Sequence, residues 1–293
     1  MPKDVFATAF FAHSTELVAK MADVLDRPKE AKHYGELFSR IKAGFNQHFV
    51  KPDGRIQGDT QAGYALALNF NLLSDDLRPA AARHMVEGIQ RYSNHISTGI
   101  QTTHRLMEEL TRYRYHEVAW QLLTNRAFPS WGYMIENGAT TIWERWDGYV
   151  KGRGFQDPEM NSFNHWALGA VGEWMWRHIV GLNPDESHPG YQHFLIAPRP
   201  GGGVTWAKGE YHSIRGRIAS EWKLDGEIFT LHVTVPPNTT ATVRVPAKDV
   251  GAVTESGQPV TQAEGVKLLR MEDGQAVFAV NSGRYAFEAR SVR

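Results

Sequence analysis

The chain has 293 residues, 42% of them hydrophobic and 22% charged, with 32 basic side chains against 32 acidic ones. Balanced charge supplies no polybasic field for phosphate, which argues against nucleic acid and membrane as partners, and no apolar run reaches the ~20 residues of a membrane helix. The chain has no cysteine, so disulfides, thiolate catalysis and cysteine-based zinc sites are ruled out and the compartment is left open.

The start, "MPKDVFATAFFAHS", carries one lysine and a short apolar stretch. It reads as an amphipathic helix and not as a secretory leader, so the expected location is the cytoplasm. Phe10, Phe11, Leu17, Val18, Met21 and Leu25 recur at helical spacing. Pro28 suits the first turn of a second helix, which runs to about Phe49 with Tyr34, Leu37, Phe38, Ile41 and Phe45 on one stripe. "KPDGR" is a turn. A third helix begins at "GDTQAGYALAL", with Asp59 or Thr60 as N-cap. Ser74 is expected to cap a fourth, with Pro79 in its early turns. Segments near 100–112 and 115–126 give two more. "MNSFNHWALGAVGEWMWRHIVGL" closes the series and is apolar nearly all round, which predicts a helix buried on all sides.

After "GLNPDESHPGYQHF" the period changes from 3.6 to 2. "SIRGRIASEW" and "FTLHVTV" alternate across the turn "LDGE", "ATVRVPA" follows, and "SGQP", "EDGQ" and "NSGRY" mark further turns. These signals predict a multidomain chain, α then β. Residues 1–185 form helical hairpins in layers, and residues 190–293 form an antiparallel β-sandwich.

The sequence shows no phosphate-cradling glycine loop, metal-ligand spacing or Ser-nucleophile elbow. What remains is carboxylates beside aromatics. In "GATTIWERWDGY", Trp143 and Trp146 flank Glu144. Apolar neighbours favour the neutral carboxyl, whereas Arg145 opposes them. Such a carboxylate either takes a proton from water at a sugar-binding wall or reaches to solvent or Arg145 as a structural acid. His165 follows the capping candidates Asn161 and Ser162. It is either a neutral donor to a hydroxyl or a satisfied cap or core histidine. Trp131 either stacks on a sugar or packs in the core. "GDTQ" reads as a helix cap and "HISTGI" as a polar loop.

"PKDVFATAFFAHSTELVAKMA", "GRIQGDTQAGYALAL", "ISTGI", "PSWGYMIENGATTIWERWDGY" and "MNSFNHWALGAVGEWMW" resemble, in order, the second half of the catalytic domain of bacterial α-L-rhamnosidases (glycoside hydrolase family 78). The tail "GVTWAKGEYHSIRGRIASEWKLDGEIFTLHVTVPPNTTATVRVPA" resembles that family's C-terminal β-sandwich. The resemblance implies a partial (α/α)6 toroid and inverting hydrolysis of rhamnosides. It implies Glu144 as general base, His165 on the sugar, Trp131, Trp143 and Trp146 around the pocket, and no cofactor. The family's general acid lies in an "RDER"-type stretch upstream of the segment matched here. The implied activity is therefore weak, unless Glu136, Asp147, Asp157 or Glu159 substitutes. The alternative is a non-catalytic rhamnose-binding or assembly module. Inner helix faces left uncovered by a half-toroid predict self-association or a partner chain.

Overall fold

Pro2 and Pro28 set the first two helices, because proline is tolerated where the first backbone N–H has no helical acceptor. Helix α1 spans Lys3–Val24 and α2 spans Pro28–Phe49 in the computed structural model, which describes residues 1–290. The two pack as a hairpin. "KPDGR" closes the next link, where Val50 bridges Ile56. Helix α3, Gln61–Asn69, takes Thr60 as its cap, with the hydroxyl accepting from the Gly63 N–H at 3.1 Å. Helix α4 spans Arg78–Arg91. Its N-cap is Leu77, not Ser74, and Pro79 sits in its first turn. The Ser74 carbonyl instead accepts from the Leu77 N–H, so a tight turn precedes the helix. Helices α5, Thr103–Arg112, and α6, His116–Thr124, complete a third hairpin, and the short α7, Trp131–Glu136, follows.

The helix buried on all sides is α3. It packs against α1, α4 and α5, and Gln61, Tyr64, Ala65, Leu66, Ala67 and Leu68 are all buried. Each leucine so buried contributes roughly 1.5–3 kcal/mol. The closing segment does not form the continuous buried helix that its composition predicts. After strands β1, Tyr149–Val150, and β2, Gly154–Phe155, residues 161–166 are irregular. Beyond them come a 3₁₀ turn at Ala167–Ala170, one α turn at Val171–Trp174 and a π turn at Met175–Val180. Trp166 is 75% exposed. The backbone is committed to the 142–144 segment instead: the Ser162 carbonyl, which a helix would offer to the Trp166 N–H, accepts from the Glu144 N–H, and the amides of Ser162 and His165 donate to residues 144 and 142.

The described residues divide into two compact units, Met1–Val171 and the part that begins at Gly172. The period of the sequence changes later, near 183–195. The difference arises because the π turn belongs to the β unit: Trp222 Nε1 donates to the Ile179 carbonyl and Ser220 Oγ to that of Val180. In that unit the strands are β3 (Leu182–Pro184), β4 (His193–Ile196), β5 (Trp206–Ser213), β6 (Gly216–Asp225), β7 (Ile228–Val235), β8 (Thr240–Pro246), β9 (Val253–Glu255), β10 (Gln258–Pro259), β11 (Val266–Glu272), β12 (Gln275–Val280) and β13 (Gly283–Arg290). One sheet has the order β10-β9-β13-β7-β6-β5 and the other β11-β12-β8-β4-β3. Phe229, Leu231, Val233 and Val235 alternate into the core from β7, as do Ala241, Val243 and Val245 from β8. The expected antiparallel pairing holds except between β4 and β8, which run parallel.

The outer side of α1 is apolar. Phe11, Val18, Met21 and Leu25 share a helical face and are 54%, 39%, 58% and 66% exposed. The opposite face, with Val5, Ala9 and Ala12, is fully buried. Glu109 on α5 is the buried exception to apolar packing. Its Oε1 accepts from Asn69 at 2.8 Å and pairs with Arg112 at 3.0 Å, while Oε2 has no partner. Burial pushes this carboxyl above its ordinary range, with Arg112 opposing. The native state therefore retains a proton that the unfolded chain has already lost, and Glu109 costs more stability as pH rises. Glu109→Gln is expected to raise the urea midpoint at neutral pH, a gain on the order of 1 kcal/mol that fades near pH 4. Unfolding curves at the two pH values check it.

Candidate functional site

The sequence-predicted residues converge at the end of the helical unit where α3, α5 and α7 begin. Ser130 caps α7 by accepting from the Tyr133 N–H at 2.9 Å, and Trp131 is the first helical residue. Gly132 lets α7 approach the preceding loop, since a Cβ there would lie 2.4 Å from the Asn125 carbonyl oxygen. Trp131 is 7% exposed, and its Nε1 donates to the Leu168 carbonyl at 3.0 Å. Trp143 is 4% exposed and packs with Met134 and Leu168 against Phe163. Trp146 is half-buried, meets Trp131 edge-on at 5.0 Å and donates to the Thr98 carbonyl at 2.7 Å. The first two indoles are core residues, and the third sits at the core's edge.

Glu144 and His165 lie on adjacent irregular segments. The Glu144 N–H donates to the Ser162 carbonyl at 2.9 Å and the His165 N–H to that of Ile142 at 2.8 Å. The Ser162 N–H returns a bond to Glu144 Oε2 at 2.9 Å. That bond orients the carboxylate, and Oε1 takes no hydrogen bond from the described residues. Arg145 does not pair with Glu144; it forms a bidentate pair with Asp147, both bonds 2.9 Å. Asp147 holds the guanidinium more firmly charged than usual. The imidazole of His165 accepts from the Ala167 N–H at Nδ1, 3.2 Å away. An acceptor nitrogen carries no proton, so neutral His165 bears its hydrogen on Nε2, which is left to donate. The ring lies nearly parallel to Trp166. The pair therefore offers one free acceptor and one free donor at a half-buried surface.

The loop between them is pinned. Asn161 donates to the Gly148 carbonyl at 2.8 Å, and a Cβ on Gly148 would stand 2.6 Å from Asn161 Oδ1. Tyr133 Oη accepts from the Lys151 N–H at 2.9 Å, which ties α7 to the hairpin of β1 and β2. Asn161 and Ser162 thus brace the 142–148 segment and cap no helix. Among the possible acids, Glu136 pairs with Arg126 at 3.3 Å, Asp147 with Arg145, and Asp157 accepts from the Glu159 N–H at 3.0 Å. Glu159 lies in an exposed 3₁₀ turn. Among the described residues no group of three or more His, Asp or Glu side chains is placed to hold a metal ion. Two residues that sequence reading passed over belong to this network: Thr98, in "HISTGI", and Gln61, in "GDTQ". The available signal was a polar side chain at the start of a helix otherwise apolar on every side.

The family described as bacterial alpha-L-rhamnosidase 6 hairpin glycosidase domain matches residues 1–179, and the bacterial alpha-L-rhamnosidase C-terminal domain matches residues 181–259. A crystal structure of a Streptomyces avermitilis α-L-rhamnosidase complexed with L-rhamnose is 45% identical with a TM-score of 0.91, covering 99% of this chain and 27% of that one. The native enzyme from Aspergillus terreus is 31% identical with a TM-score of 0.83, covering 97% and 30%. An α-L-rhamnosidase of Formosa agariphila is 38% identical over 98% of this chain and 31% of its own length. The chain thus spans under a third of the length of these relatives. Because Trp131 is a buried donor, Trp131→Phe is expected to cost about 1–3 kcal/mol by stranding the Leu168 carbonyl. Chemical denaturation measures this, and an unchanged midpoint would contradict the core assignment.

Proposed function

Because the chain belongs to the bacterial α-L-rhamnosidase family, we propose that it serves the inverting hydrolysis of terminal α-L-rhamnosides, with Glu144 as general base. The observation that carries this reading is the half-held carboxylate. Oε2 is fixed by the Ser162 N–H while Oε1 stays open, and His165 on the neighbouring segment keeps a donor at Nε2. In this scheme Oε1 takes one proton from water as the water oxygen bonds to the anomeric carbon. The bond from that carbon to the aglycone oxygen breaks, and its electron pair leaves on the aglycone. His165 Nε2 donates to a sugar hydroxyl and orients the ring. The buried faces of Trp131 and Trp143, with Trp146 at the edge, exclude water from behind the carboxylate. The reaction asks for no cofactor.

An inverting enzyme needs an acid about 6.5–9.5 Å from its base. Glu136, Asp147 and Asp157 are engaged elsewhere, as described above. That engagement supports a second reading, a rhamnose-binding module with little turnover of its own. The apolar stripe on α1 supports self-association or a partner chain that supplies further hairpins over it. Aryl rhamnosides separate the readings, because a p-nitrophenolate leaves without protonation. The full chain is expected to release p-nitrophenol slowly, and Glu144→Gln should reduce that release by about 10²-fold or more. Equal rates would remove Glu144 from the chemistry. Calorimetric binding of L-rhamnose without turnover would favour the module.

A further inference from the structure

The amide of Gln61 does more than end a helix. The residue opens α3 and is 2% exposed. Its Nε2 donates to the His95 carbonyl at 3.0 Å and its Oε1 accepts from the Ser97 N–H at 2.9 Å. The side chain thus pairs with the 95–97 segment as a neighbouring strand would, satisfying one donor and one acceptor. One residue further, Thr98 is 2% exposed and shares a 2.9 Å hydroxyl contact with Thr103, which in turn donates to the Gly99 carbonyl. The Thr98 carbonyl receives the indole N–H of Trp146. Trp146 lies two residues after Glu144, in the turn that Glu144 leads into. The chain of contacts therefore runs from the start of α3, through the 95–98 loop, to the indole two residues after Glu144.

We propose that Gln61 is a positioning residue: it sets the Thr98 carbonyl that fixes the Trp146 indole, and so the segment that presents Glu144. The inference rests on the rhamnosidase reading for its consequence but not for its geometry. A side chain serving only its own helix would leave Trp146 untouched, because α3 itself is capped by Thr60.

The test uses the full chain, ¹⁵N-labelled. The nine tryptophans give nine indole N–H signals, and Trp146→Phe identifies the one from Trp146. Gln61→Met keeps the length of the side chain and removes both bonds. In that variant the Trp146 signal is expected to move upfield and to exchange with solvent about tenfold faster, as a locally loosened contact does. The Trp222 signal, bonded to Ile179 in the other unit, should stay in place. An unmoved Trp146 signal in the folded variant overturns the proposal. The unmutated chain gives a second measurement that needs no variant. Ser97 N–H and Trp146 Nε1–H should exchange through one common opening, and protection differing by more than about tenfold overturns the coupling. L-Rhamnose affinity, read by calorimetry, is expected to fall about tenfold in Gln61→Met. Absence of rhamnose binding in the unmutated chain would defeat the functional reading alone, since the indole signals report the coupling independently.

Discussion

The constraint on which the site depends is the disposal of two backbone donors. The amides of Ser162 and His165 sit where a helix could start, and a helix would leave them without partners in its first turn. They are given instead to the Glu144 carboxylate and the Ile142 carbonyl. Three consequences follow from that single exchange. The segment 161–166 stays irregular, and Trp166 is turned outward. Glu144 is held by one oxygen only. The His165 ring turns back on the Ala167 amide, which settles where its proton resides.

This arrangement explains why indoles and a carboxylate stand together in "IWERWD". An indole is too large to bury without a partner for its N–H, and a carboxylate cannot be buried without donors. Here the two requirements are met by different parts of the backbone. Trp131 and Trp146 give their N–H groups to the carbonyls of Leu168 and Thr98, while Glu144 receives an amide from Ser162. Arg145 is drawn away by Asp147. The acid is thus left at the edge of an apolar cluster with an incomplete set of donors, a state that a nearby arginine would have ended.

Features encoded within a few residues were legible in the sequence. Pro28 marked α2, Thr60 capped α3, and "LDGE" and "EDGQ" turned the hairpins of β6 with β7 and β11 with β12. Each signal acts through its own φ angle or its own hydroxyl, so no distant residue has to be known. The segment 160–180 was misleading for the opposite reason. Its composition suits a helix buried on all sides, but its backbone bonds are decided by residues 142–148 and by β6, which lie far away in sequence. The burial of α3 was hidden in a similar way: its short apolar run carries no mark of how many neighbours surround it. Gln61 escaped because the cap beside it already accounted for a polar residue at that point. The separation of α1 into a covered and an uncovered face likewise depends on packing and not on period.

Tryptophan has a common task in both units, and it ties these failures together. A 3₁₀ or π turn cannot satisfy its carbonyls in the regular i to i+4 pattern. Leu168 lies in the 3₁₀ turn and Ile179 in the π turn, and each carbonyl receives an indole N–H from a residue 37 or 43 positions away. Trp222 and Trp131 are both buried deeply enough that the bond is shielded from water. The irregular run is therefore stable because long-range donors reach it, and local sequence alone could not announce it. The same logic places Trp146 on the Thr98 carbonyl, in a loop with no regular structure of its own. The turn after Glu144 is thus anchored by an indole donor that needs its acceptor held still, and the acceptor lies in a loop held by the side-chain amide of Gln61 at the start of α3.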